Sequence, residues 1–299
     1  MALMTALISG VSIYLNKFAV QALPDAVLFT TLKNTLVGLA LLVTVAAAVP
    51  TAEAARRAVT GVNRRTLWPL LTLAVLGGSV PFLLFFQGLT MASAPSAALI
   101  HKSLFLWVAL LAAPLLGERP GAWTIVGLGL LAAGQLLNGW PKAWGWGSGE
   151  SLILLATFLW AVETIVARRV LPQVSTNVAA AARMAGGAAV MWAYRLGSGQ
   201  ASGALALSLD QWLWVGLTSA FLLGYVTTWY AALKRAPATL VTSVLALGAA
   251  ITAGLSLVFE GKTVSGAPAL GLALMIVGAA VLLWRPSRRS SGMGMPYLP

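Results

Sequence analysis

The chain has 299 residues, of which 59% are hydrophobic and only 9% charged, against about 25% charged in ordinary soluble domains. A soluble fold has no interior large enough to hide that much apolar surface, so the whole chain is expected to be a membrane domain. It has no cysteine, which excludes disulfides, thiolate metal sites and cysteine nucleophiles; its net charge of +12 comes in short clusters between apolar runs, a pattern of membrane orientation rather than nucleic-acid binding.

Apolar runs of about 20 residues, each able to cross about 30 Å of hydrocarbon, follow one another along the chain. Breaks at proline, glycine and charge clusters predict ten helices at 3–20, 26–49, 67–91, 95–116, 121–139, 149–169, 173–196, 210–233, 237–258 and 266–284. The first run has no basic segment before it and no small-residue cleavage site leading into a soluble domain, so it reads as a retained span. Connections are short apart from 50–66 and the Gly/Ser-rich 197–208, leaving no room for a folded domain outside the membrane.

Assigning alternate connections to opposite sides places Arg56, Arg57, Arg64, Arg65, Arg119, Arg168, Arg169, Lys234, Arg235, Arg285, Arg288 and Arg289 with the N-terminus. The other side receives only Lys142, Arg195 and Lys262. By the positive-inside rule both termini are expected in the cytoplasm, with 286–299 a short basic tail.

The chain also repeats itself. Pro95 opens an apolar run that closes at Glu118, and Pro237 opens one that closes at Glu260, at a constant offset of 142 residues. A glycine pair follows each, Gly127/Gly134 and Gly271/Gly278, with a two-residue slip in register, and Lys33 and Arg183 match at an offset of 150. Because each half holds an odd number of helices, the second must enter the membrane from the opposite side. The expected fold is therefore an all-α membrane protein of ten transmembrane helices, built from inverted five-helix repeats at 1–140 and 141–285. Inverted repeats characterise secondary transporters, whose sites lie near the midplane between the halves.

These residues resemble the EamA-type members of the drug/metabolite transporter superfamily: ten helices as 5+5, a proline-opened fourth helix in each half closed by glutamate, then glycine-rich fifth helices. Ser9-Gly10 stands where a Trp-Gly pair is common in that family, and Lys33 where arginine is common. The resemblance implies export or exchange of small metabolites, often amino acids, with an aromatic amino-acid exporter as the nearest subtype. It also implies alternating access in a plasma membrane, the bacterial inner membrane being expected.

Ionisable groups inside a membrane cost about 2.5–3.5 kcal/mol each on insertion scales, so each needs a reason. Lys17 lies near a helix end and can snorkel. Lys33 and Arg183, at matching places in the two halves, are read as structural charges. His101 and Lys102 have uncharged repeat mates, Ser243 and Val244, which suits an asymmetric substrate better than a scaffold. Glu163 shares a helix face with Trp160 and Thr164 at i, i+3 and i+4; it either receives a substrate ammonium or neutralises Lys102 or Arg183. His101 and Glu163 are the candidates for proton coupling.

Thr5, Ser9, Ser12 and Asn16 form one polar stripe on the first helix. It lines a cavity or packs against another helix, and the same two readings hold for Gln87 and for Thr239, Thr242 and Ser243. Tyr225, Thr228 and Trp229 make a second aromatic face. Trp68, Trp123, Trp140, Trp144, Trp146, Trp212 and Trp284, near helix ends, read as interfacial anchors. Pro95 and Pro237 read as helix starts, Glu118 and Glu260 as carboxylates at the starts of the fifth helices.

The candidate substrate-binding set is thus His101, Lys102, Glu163, Trp160, Thr164, Gln87, Asn16, Ser12, Tyr225, Trp229 and Ser243. One histidine, no cysteine and one deep carboxylate make a poor catalytic set, so no enzyme activity, metal or cofactor is expected. The expected partners are a small-molecule substrate, most simply an amino acid, and the lipid bilayer; phosphorylated or other anionic metabolites are the alternative. Oligomeric state is left open, a monomer being compatible with the sequence.

Overall fold

A computed structural model describes residues 1–23, 25–48, 64–92, 94–139, 146–200, 203, 206–261 and 266–284. Arg56, Arg57, Lys142, Lys262, Arg285, Arg288, Arg289, Trp140, Trp144 and the 286–299 tail lie outside them, as do the side chains of Arg65 and Pro95. The described residues are helical with no strand. In chain order the helices are α1 Ala2–Ala22, α2 Ala26–Ala47, α3 Arg64–Thr72, α4 Val80–Leu89, α5 Ala94–Lys102, α6 Leu104–Leu116 and α7 Ala122–Gly139, then α8 Ser148–Val170, α9 Thr176–Ala181, α10 Gly187–Gly197, α11 Leu209–Arg235, α12 Ala238–Leu245, α13 Gly248–Glu260 and α14 Ala267–Trp284. One π turn, Leu73–Gly77, lies between α3 and α4, and another, Ala182–Gly186, joins α9 to α10.

Seven rods are long and apolar enough to cross a membrane: Ala2–Ala22, Ala26–Ala47, Thr66–Leu89, Ser96–Leu116, Ser148–Val170, Ala238–Glu260 and Ala267–Trp284. Ala122–Asn138 is a shorter apolar helix. The stretch from α9 to α10 and the helix α11 carry more polar residues, Arg183 and Arg195 in the first and Asp210, Gln211, Lys234 and Arg235 in the second. Large apolar side chains such as Leu39, Val43, Leu110, Leu213, Val258 and Phe259 are exposed on the outer surface, as expected where lipid is the solvent. The chain is a multi-pass integral membrane protein.

Four stretches expected as continuous helices are interrupted. The stretch 67–91 carries Pro69 and the Gly77-Gly78 pair, and it passes through a π turn to Ser79, which leaves helical geometry at φ −140°. The stretch 95–116 breaks at Ser103, whose hydroxyl donates to Ile100 O at 2.6 Å and accepts the Trp107 indole N–H at 3.1 Å. The stretch 237–258 breaks at Ala246 and Leu247. The stretch 173–196 holds the second π turn, around Arg183.

The repeat register is also corrected. The left-handed C-caps Gly117 (φ 68°) and Gly261 (φ 62°) are 144 apart, as are the starts of α5 and α12, of α6 and α13, and the glycine pairs of α7 and α14. No slip is needed, and the offset of 142 paired residues two places apart in structure. The mates of His101 and Lys102 become Leu245 and Ala246, still uncharged. Ranges Ala26–Ala47 and Thr176–Gly197 keep the offset of 150 at both ends.

Glu118 and Glu260 accordingly do different work from that expected of helix starters for α7 and α14. Glu118 lies beyond its cap glycine and accepts from Ala238 N at 2.6 Å and Thr239 N at 3.0 Å, so it caps α12 from across the molecule. Glu260 is the last residue of α13 and pairs with Lys17 at 2.6 Å, near the exposed end of α1. Loss of a cap costs about 0.5–2 kcal/mol. Glu118→Ala is therefore expected to lower unfolding stability in detergent by about that amount, with Glu118→Gln recovering part of it.

Small residues let the helices approach closely, the usual device where lipid removes the hydrophobic drive between them. A Cβ on Gly134 would lie 2.5 Å from Gly271 O, and one on Gly127 would lie 3.0 Å from Gly278 O, so α7 and α14 meet backbone to backbone. Gly10 of α1 meets α13 the same way: its Cβ would lie 2.9 Å from Gly248 O. Both crossings join one half of the chain to the other.

Candidate functional site

The first π turn is held by side chains from its neighbours. A π turn bonds i to i+5 and leaves carbonyls without their α-helical donors, and a bare carbonyl in a membrane interior is costly. The Ser79 hydroxyl donates its one proton to Ala74 O or Val75 O, each at 3.1 Å. The Trp160 indole donates to Gly77 O at 3.2 Å, and the Asn34 amide to Gly78 O at 3.0 Å. Gly78 then packs directly on the second π turn and α10: a Cβ there would collide with Arg183 O, and one on Gly187 would lie 2.5 Å from Gly78 C, Cα and O.

At this junction lies a buried ionic network. Glu163 of α8 accepts the Tyr230 hydroxyl on Oε1 at 2.6 Å, while its Oε2 lies 3.6 Å from Arg183 Nη1. Glu163 and Tyr230 are fully buried and Arg183 is 8% exposed. Isolated, either charge would be untenable at this depth; together they neutralise one another. Gly77 is pressed on the pair, since a Cβ there would lie 2.8 Å from Glu163 Cγ.

Next to the network, aromatic rings enclose Trp160. Its centroid lies 5.1 Å from Phe82, 5.7 Å from Phe85 and 5.0 Å from His101, and His101 is also 5.0 Å from Phe85. His101 Nδ1 is buried with no hydrogen-bond partner among the described residues. The network and rings lie between α4 and α5 of the first half and α8, the second π turn and α11 of the second.

A second polar chain begins at Lys33, whose ammonium donates to Asn16 Oδ1 at 2.8 Å and sits 4.7 Å from the Phe29 centroid. Asn16 in turn donates to Ser12 Oγ at 3.2 Å. Asn16 and Ser12 of the α1 stripe therefore serve a buried cation, whereas Thr5 donates to Met1 O at 3.1 Å. Lys102 faces elsewhere, onto a cavity of about 230 Å³ that it shares with Asn138 and Thr252 and that none of Glu163, Arg183, Trp160 or Tyr230 lines.

The structure brings Trp160, Glu163, His101 and Arg183 together, and Asn16 and Ser12 with Lys33. Thr164 donates to Trp160 O at 2.9 Å and Ser243 to Thr239 O at 2.6 Å, so both hydroxyl protons are spent within their helices. Tyr225 stacks on Trp229 at 6.0 Å, and the Trp229 indole N–H is buried without a partner among the described residues. Gln87 is exposed. Sequence reasoning missed Tyr230 and Asn34; the latter carried a usable signal, as an amide beside Lys33 in an apolar run. Trp68, Trp123, Trp146, Trp212 and Trp284 are all exposed, and no group of three metal-ligating side chains occurs among the described residues.

No curated protein matches the chain. A solved structure described as "Crystal structure of protein" superposes with a TM-score of 0.71, covering 96% of this chain and 99% of that one at 21% identity, a likeness of fold. The sequence pattern of the EamA-like transporter family matches twice, over residues 1–140 and 147–284. The two matches span nearly all of the chain, one for each half of the repeat, and the chain belongs to the EamA-like transporter family of the drug/metabolite transporter superfamily.

Proposed function

We propose that the chain is an alternating-access secondary transporter of small zwitterionic metabolites, amino acids foremost, with ten membrane-crossing helices and both termini in the cytoplasm. The repeats run 1–140 and 141–285, the second inverted. Two sets of contacts support that topology. Glu118 bonds Ala238 and Thr239, Arg169 bonds Leu115 O, Arg168 bonds Lys234 O and Lys234 bonds Val174 O, all among ends that alternation puts on the inner side. Lys17 pairs with Glu260, Asp25 with Arg195 at 2.9 Å, and Gln211 bonds Ala22 O, all among ends on the outer side.

The observation that carries the substrate reading is the Glu163–Arg183 pair between the halves. At 3.6 Å it is longer than the 2.7–2.9 Å of a charge-assisted hydrogen bond, so a ligand bearing both charges can exchange partners with it at little electrostatic cost. In this reading a substrate at the network meets His101 with its carboxylate, Glu163 with its ammonium, and Trp160, Tyr225 and Trp229 with its apolar part, while Lys102, on a separate cavity, receives the carboxylate of a substrate bound there. Ser12, Asn16, Gln87, Thr164 and Ser243 are polar lining, and a bacterial inner membrane, export or exchange, and the aromatic amino-acid subtype complete the proposal. Proteoliposome counterflow tests it: saturable amino-acid exchange is expected, falling at least tenfold in Glu163→Ala and Lys102→Ala. Unchanged flux in both variants removes their binding roles, and flux indifferent to an imposed pH gradient removes proton coupling.

A second reading, an anionic metabolite, rests on Lys33 and Lys102, which have no carboxylate partner among the described residues. Counterflow driven by a dicarboxylate or a phosphate ester in preference to an amino acid would favour it.

A further inference from the structure

The cavity beside Lys102 lies between the halves, with Ile13, Lys102 and Asn138 from the first and Ala249, Thr252, Ala253 and Leu272 from the second. Lys102 is the last residue of α5 before the break at Ser103, and Thr252 lies one turn into α13 after the break at Ala246 and Leu247. Two discontinuous helices thus frame it, the setting in which repeat-built carriers place substrate.

Its polar groups differ in kind. The Lys102 ammonium is a charged donor with no hydrogen-bond or ion-pair partner among the described residues. The Asn138 amide nitrogen is committed to Gly134 O at 3.0 Å, which leaves its carbonyl oxygen as an acceptor. The Thr252 hydroxyl donates to Gly10 O or Gly248 O, each at 2.9 Å, which leaves its oxygen lone pairs as an acceptor. Ile13, Ala249, Ala253 and Leu272 supply an aliphatic wall with no aromatic ring.

A plain anion would satisfy Lys102 but face two oxygen acceptors, and a plain cation would face the ammonium. A zwitterion satisfies all three. Scaling from the ~150 Å³ cavity that holds benzene, about 230 Å³ holds roughly nine non-hydrogen atoms, an amino acid of about the size of leucine and not tryptophan. We propose that this cavity binds a small aliphatic amino acid, its carboxylate on Lys102 Nζ and its ammonium on Asn138 Oδ1 and Thr252 Oγ1. This rests on the amino-acid transport reading and departs from its residue assignments: Asn138 and Thr252 rather than Glu163 receive the ammonium, and the size limit selects an aliphatic side chain in place of the aromatic subtype.

The test is a thermal-shift titration of the purified full chain in detergent with leucine, tryptophan, succinate and phosphoethanolamine, alongside leucine counterflow in proteoliposomes. Leucine is expected to give a saturable shift and the other three none. Lys102→Met is expected to weaken leucine binding at least tenfold and Thr252→Val several-fold, while Ala253→Leu, which fills the cavity and keeps the charge, removes it. An undiminished leucine shift in both Lys102→Met and Ala253→Leu overturns the site. Succinate binding as tightly as leucine shows an anion site, and phosphoethanolamine competing with leucine shows a lipid headgroup site; either overturns the proposal. Leucine counterflow that persists in both variants overturns the cavity and leaves amino-acid transport standing, whereas counterflow of another substrate class with no amino acid moved overturns both.

Discussion

Arg183→Met is expected to destabilise the protein by about 3–5 kcal/mol, because it leaves the Glu163 carboxylate buried and without its counter-charge. Glu163 keeps one strong bond, from Tyr230 at 2.6 Å, but a neutral hydroxyl cannot replace a guanidinium at this depth. Glu163→Gln is expected to fall in the same range, since it strands Arg183. The double variant should cost clearly less than the sum of the two, because replacing both charges removes the desolvation penalty along with the attraction. Tyr230→Phe removes one hydrogen bond to a charged group and is expected to cost about 1.5–3 kcal/mol. Unfolding of each variant in detergent measures the cycle; additive single effects would show that the pair is not coupled.

The second large effect belongs to Gly187. A methyl group there would lie 2.5 Å from three backbone atoms of Gly78, and backbone, unlike a flexible side chain, cannot swing aside. Overpacking costs about 1–3 kcal/mol where side chains can adjust, so Gly187→Ala is expected at or above the upper end of that range. Because Gly78 and Gly77 present their carbonyls to Asn34 and Trp160, the displacement should also reach the network and lower counterflow. Gly129→Ala is the matched control, with no atom within 4 Å of the added carbon; it is expected to leave both stability and flux within experimental scatter of the parent.

The helical stretches were legible in the sequence because a membrane imposes length and polarity on each element separately, and apolar runs record both. Interruptions within them were not legible. Whether the helix opens at Gly78 depends on what presses on it, and that neighbour, Gly187, lies more than a hundred residues away. The repeat was visible through its glycines and prolines, but its register was misread because Pro95 and Pro237, chosen as anchors, occupy different places at their helix starts; the left-handed caps Gly117 and Gly261 fix it.

For the candidate site, periodicity grouped Trp160 with Glu163 correctly on one face, since a helix face is a local property. It could not tell whether Arg183 or Lys102 neutralises Glu163, because that depends on how α8 is rotated against its neighbours. The role of Tyr230 is not legible for a similar reason. This residue follows Trp229 in sequence and points its hydroxyl to Glu163, whereas the face named from sequence was that of Tyr225 and Trp229.

The two π turns also change how the chain counts its own residues. Each holds one residue more than an α-helical turn, and one residue is about 100° of rotation and 1.5 Å of rise. Along the stretch from α9 to α10, residues before Ala182 and after Gly186 therefore follow different phase, and a helical wheel drawn straight through 176–197 assigns one end to the wrong side. A single-residue deletion within 182–186 would restore a regular helix and, because the turn already absorbs the extra residue, would keep α9 and α10 close to their present phase while removing the widened turn that carries Arg183. The deletion that regularises the helix thus removes the widened turn on which Gly78 packs at the junction between the halves.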